Sequence, residues 1–191
     1  MKLTLIRHGQ SVANVDRSIY NTTVDWDIPL SDIGVSQAED VKLELEYPSN
    51  TVFLTSHYKR ARDTGSIIHS VNNLAQYNIT IKQDPLIHEL LVCSNEEDLG
   101  NTYSRYEHMY QNRLRYYKQG DQGESYLDCY MRARLFINSI LSGLYGRDTK
   151  ELIVVSHGCF IQMMLANLDG VSIEDILDKE INNCEIITRN I

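Results

Sequence analysis

The sequence contains few of the residues that crosslink or interrupt a fold, with four cysteines and three prolines in 191 residues. The cysteines are scattered and form no C-x-x-C pair: Cys93, Cys129, Cys159 and Cys184. This spacing argues against a cysteine-ligated metal site, and a chain of this size without a secretion signal is not expected to carry a disulfide framework. Cys159 is better interpreted as a small buried apolar residue than as a nucleophile.

Long apolar runs and an excess of positive charge are also absent. No run approaches the roughly 20 residues that cross a bilayer, and residues 1–4 lead into a short apolar segment without the hydrophobic region of a signal peptide. We therefore expect a cytoplasmic protein. The net charge of -8 argues against a nucleic-acid polymer or an anionic membrane as partner, so any anion must bind in a local pocket.

Apolar segments of strand length alternate with helical patterns along the chain. The predicted strands are 2–6, 51–55, 79–83, 151–155 and 185–188, and the predicted helices are 31–46, 59–71, 124–144, 160–168 and 173–177. This order favours an α/β fold, a three-layer α/β/α arrangement with a mainly parallel central sheet. No repeat or linker interrupts it, so we expect a single domain over residues 1–191.

Two parts of this prediction concern side chains. On the helix at 124–144, the predicted apolar side comprises Leu127, Met131, Leu135, Ile137, Ile140 and Leu141. Residues 90–123 are rich in tyrosine and arginine and follow a strand end, which is compatible with a lid-like segment inserted over the site. A surface helix whose tyrosines pack on the body of the domain is an equal alternative.

Polar side chains that suit phosphate chemistry follow each of four predicted parallel strands. Arg7 and His8 follow the first, Arg60 the second, Glu89 the third and His157 the fourth. Ligands of open α/β sheets bind beyond the carboxyl ends of the strands, so these groups are expected to meet. Phosphoryl transfer requires cations around the charged oxygens, a nucleophile and a proton for the leaving group. Each residue alone is a weak signal, but their joint placement is strong.

Five segments resemble signatures of the histidine phosphatase superfamily, which has the phosphoglycerate mutase-like fold. Residues 7–14 (R-H-G-Q-S-V-A-N) are similar to its R-H-G-(E/Q)-(S/T)-x-x-N motif, and residues 29–38, 56–64, 123–132 and 156–158 are similar to four further motifs in the family order. The resemblance therefore covers nearly the whole chain. Residues 14–30 most resemble the mutase-like proteins of plants, fungi and some viruses.

The resemblance implies a two-step mechanism at this site. His8 would attack phosphorus and form a phosphohistidine, while Arg7, Arg60 and His157 would bind the phosphoryl oxygens and stabilise the transition state. Glu89 would protonate the leaving oxygen and then activate water. Neither a metal ion nor another cofactor is implied, because the arginines and histidines neutralise the phosphate.

Further residues are assigned by the same resemblance. Asn14 would help to position phosphate, and Gly9 and Gly158 would allow a close approach of the backbone. The acid is the uncertain assignment, because the stretch after Glu89 departs from the family pattern and Glu96 could align instead. The position of Glu89 directly after a strand favours Glu89.

The function expected from the sequence is a metal-independent phosphatase that hydrolyses a small-molecule phosphomonoester through a phosphohistidine on His8. Phosphoglycerate mutase-type transfer is the nearest alternative, although 191 residues leave little room for the insertions of cofactor-dependent mutases. The second alternative is a weakly active member of the same fold that binds proteins or acts as a protein phosphatase. A homodimer is compatible with the sequence.

Two departures from the family pattern are His57 in place of a proline and Gln162 in place of a common arginine.

Overall fold

A computed structural model describes residues 1–92 and 123–191, together with His108, Tyr116 and Lys118. Its five-stranded sheet has the order β3-β2-β4-β1-β5. The strands are β1 (Lys2–Arg7), β2 (Thr51–Thr55), β3 (Ile81–Gln83), β4 (Glu151–Ser156) and β5 (Ile186–Asn190). The pairs β1–β4, β2–β4 and β2–β3 are parallel, and only the edge strand β5 is antiparallel to its neighbour β1. The predicted α/β fold with a mainly parallel sheet is confirmed.

Helices cover both faces of the sheet. They are α1 (Val12–Val15), α2 (Asp32–Asp40), α3 (Lys59–Val71), α4 (Tyr126–Leu141), α5 (Gly158–Asp169) and α6 (Ile173–Leu177). Every residue of β4 is buried. Its Leu152 and Val154 face a core shared with α4, α5 and α6, whereas Ile153 and Val155 face a core shared with α2 and α3. This alternation along one central strand produces the three layers.

Side-chain caps define where two of these helices begin. Ser31 Oγ accepts a hydrogen bond from Gly34 N at 3.1 Å and so caps the N-terminus of α2. At the start of α4, Ser125 and Asp128 form a reciprocal capping box: Asp128 N donates to Ser125 Oγ and Ser125 N donates to the Asp128 carboxylate. At both helix starts, a nearby side chain therefore accepts a hydrogen bond from a backbone N–H group that has no partner within the helix.

Helix α2 is shorter than predicted, because it ends at Asp40 rather than near residue 46. The side chain of Asn72, at the end of α3, donates to Val41 O at 3.0 Å and accepts from Leu43 N at 2.8 Å. These bonds replace the helical hydrogen bonds that residues 41–43 would otherwise form. A contact distant in sequence thus ends the helix.

The buried side of α4 also differs from the prediction. Met131, Leu135 and Leu141 were expected in the core, but they are 55%, 54% and 64% exposed. Ile137 and Ile140 are buried as predicted, and the rest of the buried side consists of Tyr126, Cys129, Ala133 and Phe136. The buried side of the helix therefore combines two large aromatic residues, Tyr126 and Phe136, with the small residues Cys129 and Ala133.

The predicted lid-like segment at 90–123 lies largely outside the described residues, although both of its ends are described. Leu91 and Glu124 join those ends: Glu124 N donates to Leu91 O at 2.6 Å, and Leu91 N donates to Glu124 Oε2 at 3.1 Å. Within the described part of the chain, no helix is long and apolar enough to cross a membrane.

Candidate active site

The two strand-end histidines of the candidate site lie side by side. His8 follows β1 and His157 follows the neighbouring β4, and His8 N donates to Ser156 O at 2.9 Å. The imidazole centroids are 5.1 Å apart in an edge-to-face arrangement, and both side chains are buried. The parallel register of β1 and β4, with Arg7 opposite Ser156, causes this convergence.

Hydrogen bonds determine which nitrogen of His8 can act as a nucleophile. Its Nδ1 lies 2.7 Å from the carbonyl oxygen of Gly9, which can only accept, so Nδ1 carries the proton. The lone pair is then on Nε2, toward which Arg60 Nε donates at 3.3 Å. Burial, reinforced by Arg60 and Arg7, holds the pKa of His8 well below its ordinary value. The imidazole is therefore neutral at physiological pH, with a lone pair on Nε2 that accepts the hydrogen bond of Arg60 in this structure.

Arg60 lies in the first turn of α3, with a side chain only 5% exposed. Its Nη1 donates to Asp25 O at 2.6 Å and lies 3.0 Å from Asp25 Oδ1, and its guanidinium carbon is 5.0 Å from the centroid of the Tyr58 ring. Asp25 belongs to a short 3-10 turn, Asp25–Asp27. Its partnership with Arg60 was not predicted.

The carboxylate of Glu89 lies at the N-terminus of α5. Glu89 Oε1 accepts from Leu90 N at 2.9 Å and from Phe160 N at 3.3 Å, and Oε2 accepts from Cys159 N at 3.4 Å. Burial is the largest influence and raises the pKa of Glu89 above its ordinary value, against the opposing effects of the Leu90 amide and of Arg60. A proton donor is thereby available at higher pH than an exposed carboxyl group would allow.

Arg7 and His157 occupy the other sides of the site. Arg7 Nη1 donates to Ile181 O at 2.5 Å, which directs the guanidinium along the N-terminus of α5. His157 Nε2 is 2.9 Å from Ser56 Oγ, and its Nδ1 is buried without a hydrogen-bond partner among the described residues. Burial lowers the pKa of His157 well below its ordinary value, and Arg60 adds to this effect. His157 is therefore a neutral group that can donate one hydrogen bond.

Arg7, His8, Arg60 and Glu89 line a cavity of about 250 Å³, whereas His157, fully buried next to His8, does not line it. Three arginines line it, Arg7, Arg17 and Arg60, together with the carboxylates of Asp25 and Glu89. The cationic side chains are suited to an anion, and the volume is suited to a small molecule. Sequence reasoning missed Arg17, Tyr20 and Asp25, since the polar loop at 9–30 has no periodicity from which their side-chain positions could be inferred.

The remaining predicted site residues have clear positions. Asn14 lines the cavity, while its Oδ1 accepts from Ser11 N at 2.9 Å and so caps the short helix α1. A Cβ added at Gly9 would lie 2.4 Å from Gly34 O, so the backbone of α2 requires glycine there. At Gly158 the nearest atom would be Arg7 Nε at 3.6 Å, an ordinary contact. Glu96, the alternative acid, lies outside the described residues.

A buried arginine on α4 supports the segment that carries Glu89. Arg132 donates to both carboxylate oxygens of Glu124, at 2.8 and 2.7 Å, and to the carbonyl oxygens of Leu86, His88 and Glu89 at 2.8, 2.9 and 3.2 Å. Sequence reasoning placed Arg132 only within a family motif. The structure gives it a positioning task behind the site.

His57, which replaces the family proline, lies at the edge of the site. Its ring is 5.0 Å from the ring of Tyr58 and 5.9 Å from that of His88, and His88 in turn stacks on Tyr58. In the described ranges, no three His, Cys, Asp or Glu side chains are grouped in a way that could hold a metal ion.

Comparison with known proteins decides the family. The sequence model of the histidine phosphatase superfamily (branch 1) matches residues 3–190. The chain belongs to this superfamily. Curated members similar to it include a 2,3-bisphosphoglycerate-dependent phosphoglycerate mutase of Gloeobacter violaceus, 28% identical over 188 residues that cover 95% of this chain and 82% of that protein.

A phosphoglycerate mutase-like protein of Arabidopsis thaliana is another similar superfamily member. It is 26% identical over 195 residues that cover 91% of this chain. The match covers 59% of the plant protein, so the chain spans less than two thirds of that relative.

Solved histidine phosphatases share the fold of this chain. The α-ribazole phosphatase of Shigella flexneri has a TM-score of 0.71 at 21% identity, with 100% of this chain and 91% of that chain covered. A phosphoserine phosphatase of Entamoeba histolytica has a TM-score of 0.69 at 20% identity, covering 98% and 89%. At these identities the likeness concerns the fold, and it confirms the phosphoglycerate mutase-like architecture. The superfamily includes proteins named as mutases and as phosphatases.

Proposed function

We propose that this histidine phosphatase hydrolyses a small-molecule phosphomonoester through a phosphohistidine on His8, without a metal ion. The observation that carries the proposal is the pairing of a neutral, buried His8 with Arg60, whose Nε donates to the unprotonated Nε2 of His8 at 3.3 Å. A nucleophile with a phosphate-binding cation directly beside it is the arrangement that phosphoryl transfer requires.

The first step forms the phosphoenzyme. His8 Nε2 attacks phosphorus, the bond between phosphorus and the ester oxygen breaks, and the departing oxygen takes the proton of Glu89. Arg7, Arg60 and the hydrogen-bond donor of His157 stabilise the charge on the phosphoryl oxygens. The raised pKa of Glu89 supports its role as the acid, since its protonated form persists at higher pH than in an exposed carboxyl group.

The second step regenerates the enzyme. The Glu89 carboxylate removes a proton from water as the water oxygen attacks phosphorus, and the bond between phosphorus and His8 Nε2 breaks. Inorganic phosphate leaves, and Glu89 is protonated again. Glu89 therefore acts as the acid in the first step and as the base in the second, because the attacking water takes the place of the leaving oxygen.

The deciding experiment measures phosphate release from sugar phosphates, nucleotides, phosphoglycerates and p-nitrophenyl phosphate in EDTA. We expect metal-independent turnover that His8→Ala abolishes and that His69→Ala, which changes a histidine on α3 outside the cavity, retains. Turnover that survives His8→Ala, or that requires a metal ion, would contradict the proposal. Conversion of 3-phosphoglycerate to 2-phosphoglycerate without free phosphate would favour the mutase alternative.

Replacing the acid tests its assignment separately. In the first turnover, Glu89→Gln should slow release of the alcohol from alkyl phosphates by about 100-fold and release of nitrophenolate from p-nitrophenyl phosphate much less, because nitrophenolate leaves without a proton. The wild-type rate should also fall as the pH rises through the raised pKa of Glu89, since only the protonated acid is active. That alkaline fall should disappear in Glu89→Gln. Equal rates for alkyl phosphates in both proteins would exclude Glu89 and direct attention to Glu96.

A further inference from the structure

Asp25 is an acidic residue in a cavity whose proposed ligand is an anion. Its side chain is only 15% exposed, and it lines the same cavity as His8 and Glu89. A negative charge in this place opposes phosphate binding. Its presence therefore calls for a physical explanation other than contact with the phosphate.

The contacts of Arg60 provide that explanation. Its Nη1 donates a hydrogen bond to the Asp25 carbonyl oxygen at 2.6 Å and lies 3.0 Å from Asp25 Oδ1, an ion-pair contact without hydrogen-bond geometry. Its Nε points to His8 Nε2 at 3.3 Å, and the guanidinium carbon lies 5.0 Å from the Tyr58 ring centroid. The contacts lie on different sides of a rigid planar group. Asp25 therefore fixes the rotation of the guanidinium about the end of its side chain.

We propose that Asp25 is a positioning residue that orients Arg60 so that its Nε–H is directed at the transferring phosphoryl group on His8. The inference rests on the proposed phosphatase function and extends it to a residue outside the predicted site. It assigns Asp25 a role in the transition state and no role in binding the substrate.

Asp25 cannot act by keeping Arg60 charged. An arginine stays protonated at every pH that the protein experiences, even when buried. The ion pair can contribute in only two ways, by offsetting the cost of burying the guanidinium and by fixing its direction. The second contribution affects catalysis, because a small misplacement of a phosphate-binding group can reduce the rate about 100-fold.

The exchange Asp25→Asn tests the contribution of the carboxylate. It keeps the backbone carbonyl that accepts from Nη1 and nearly the same volume, but it removes the ion pair between the carboxylate and Nη1. We expect kcat for p-nitrophenyl phosphate to fall about 10- to 100-fold, with KM unchanged or lower because one repulsive charge is gone. Asp27→Asn, in the same 3-10 turn but exposed, is the matched control and should retain wild-type kinetics.

Anion binding gives a readout that needs no turnover. Vanadate imitates the trigonal transition state, whereas inorganic phosphate resembles the ground state. By calorimetric titration, Asp25→Asn should weaken vanadate binding at least 10-fold and change phosphate binding less than about threefold. A change of equal size for both anions would mean that Asp25 affects only the ground state, and it would overturn the inference.

A double-mutant cycle tests whether the effect passes through Arg60. In an Arg60→Ala background, Asp25→Asn should change kcat/KM by less than about twofold, because the group that it orients is gone. The same loss in both backgrounds, or a kcat of Asp25→Asn within twofold of wild type, would contradict the positioning role while leaving the phosphatase function intact. A folded wild-type protein that neither hydrolyses esters nor binds either anion would instead overturn the proposed function, and the inference with it.

Discussion

Replacing Arg132 should destabilise the protein strongly. Arg132→Met removes the cation that binds both oxygens of Glu124 and the carbonyl oxygens of Leu86, His88 and Glu89. The side chains of Arg132 and Glu124 are 10% and 17% exposed, so the remaining carboxylate would be largely buried without its partner. Removing one partner of a buried ion pair costs about 3–5 kcal/mol. Since neither group is fully buried, we expect about 3 kcal/mol, a large fraction of a typical stability of roughly 5–15 kcal/mol.

Urea denaturation followed by circular dichroism measures this loss as a lower midpoint at an unchanged slope. Two further variants keep the test informative if Arg132→Met does not fold. Arg132→Lys retains the charge but not the planar fork, and it should cost less than Arg132→Met. Adding Glu124→Gln to Arg132→Met removes the unpaired charge and should restore at least about 1 kcal/mol. A loss below about 1 kcal/mol for Arg132→Met would refute the reasoning.

Two other predictions concern stability. Gly9→Ala would place a Cβ 2.4 Å from a backbone oxygen of α2, so it should lower the free energy of unfolding by at least about 2 kcal/mol. Gly158→Ala is the control. The nearest atom to its Cβ would be 3.6 Å away, so this change should cost far less. Below pH 6.5 the free energy of unfolding should fall as the pH decreases. Buried His8 and His157 have lowered pKa values, so the unfolded chain binds protons that the folded chain does not. Each histidine lowers the free energy of unfolding by up to about 1.4 kcal/mol per pH unit. Glu89, with a raised pKa, opposes this fall as one group against two. Urea denaturation at pH 7.5, 6.0 and 5.0 measures the trend, and equal stability at all three would contradict it.

The sequence predicted the strand-end groups well because the signal there is local. Short apolar runs before His8 and before His157 are strong indicators of buried strands, and the parallel arrangement follows from the alternation of elements. Once these strands are neighbours, the two histidines must meet at one edge. Arg60 lies in a family motif after the second strand, and Glu89 was predicted from its place after the third strand.

Features that depend on contacts between distant segments could not be predicted in this way. Asp25 reaches Arg60 across 35 positions of sequence, from a loop without periodicity. Asn72 ends α2 by bonding to Val41 and Leu43, which nothing in residues 31–46 indicates. Such bonds exist only after the elements have packed.

The error on α4 has a different cause. Met131, Leu135 and Leu141 are apolar and were assigned to the core by composition, yet they are exposed. The small residues Cys129 and Ala133 belong instead to the core that α4 shares with α5. The apolar character of a single side chain is thus a poor guide to the buried side of a helix, because apolar side chains also cover much of a protein surface.

The reciprocal hydrogen bonds between Leu91 and Glu124 have an evolutionary consequence. They fasten together both ends of the stretch between residues 92 and 123, and Glu124 is itself bound by Arg132, which holds the carbonyl of Glu89. Closing a longer loop adds little entropic cost, since each doubling of its length costs only about 0.6 kcal/mol. The stretch between these ends can therefore be lengthened, shortened or exchanged between relatives at little entropic cost, while the hydrogen bonds that hold the Glu89 segment stay the same.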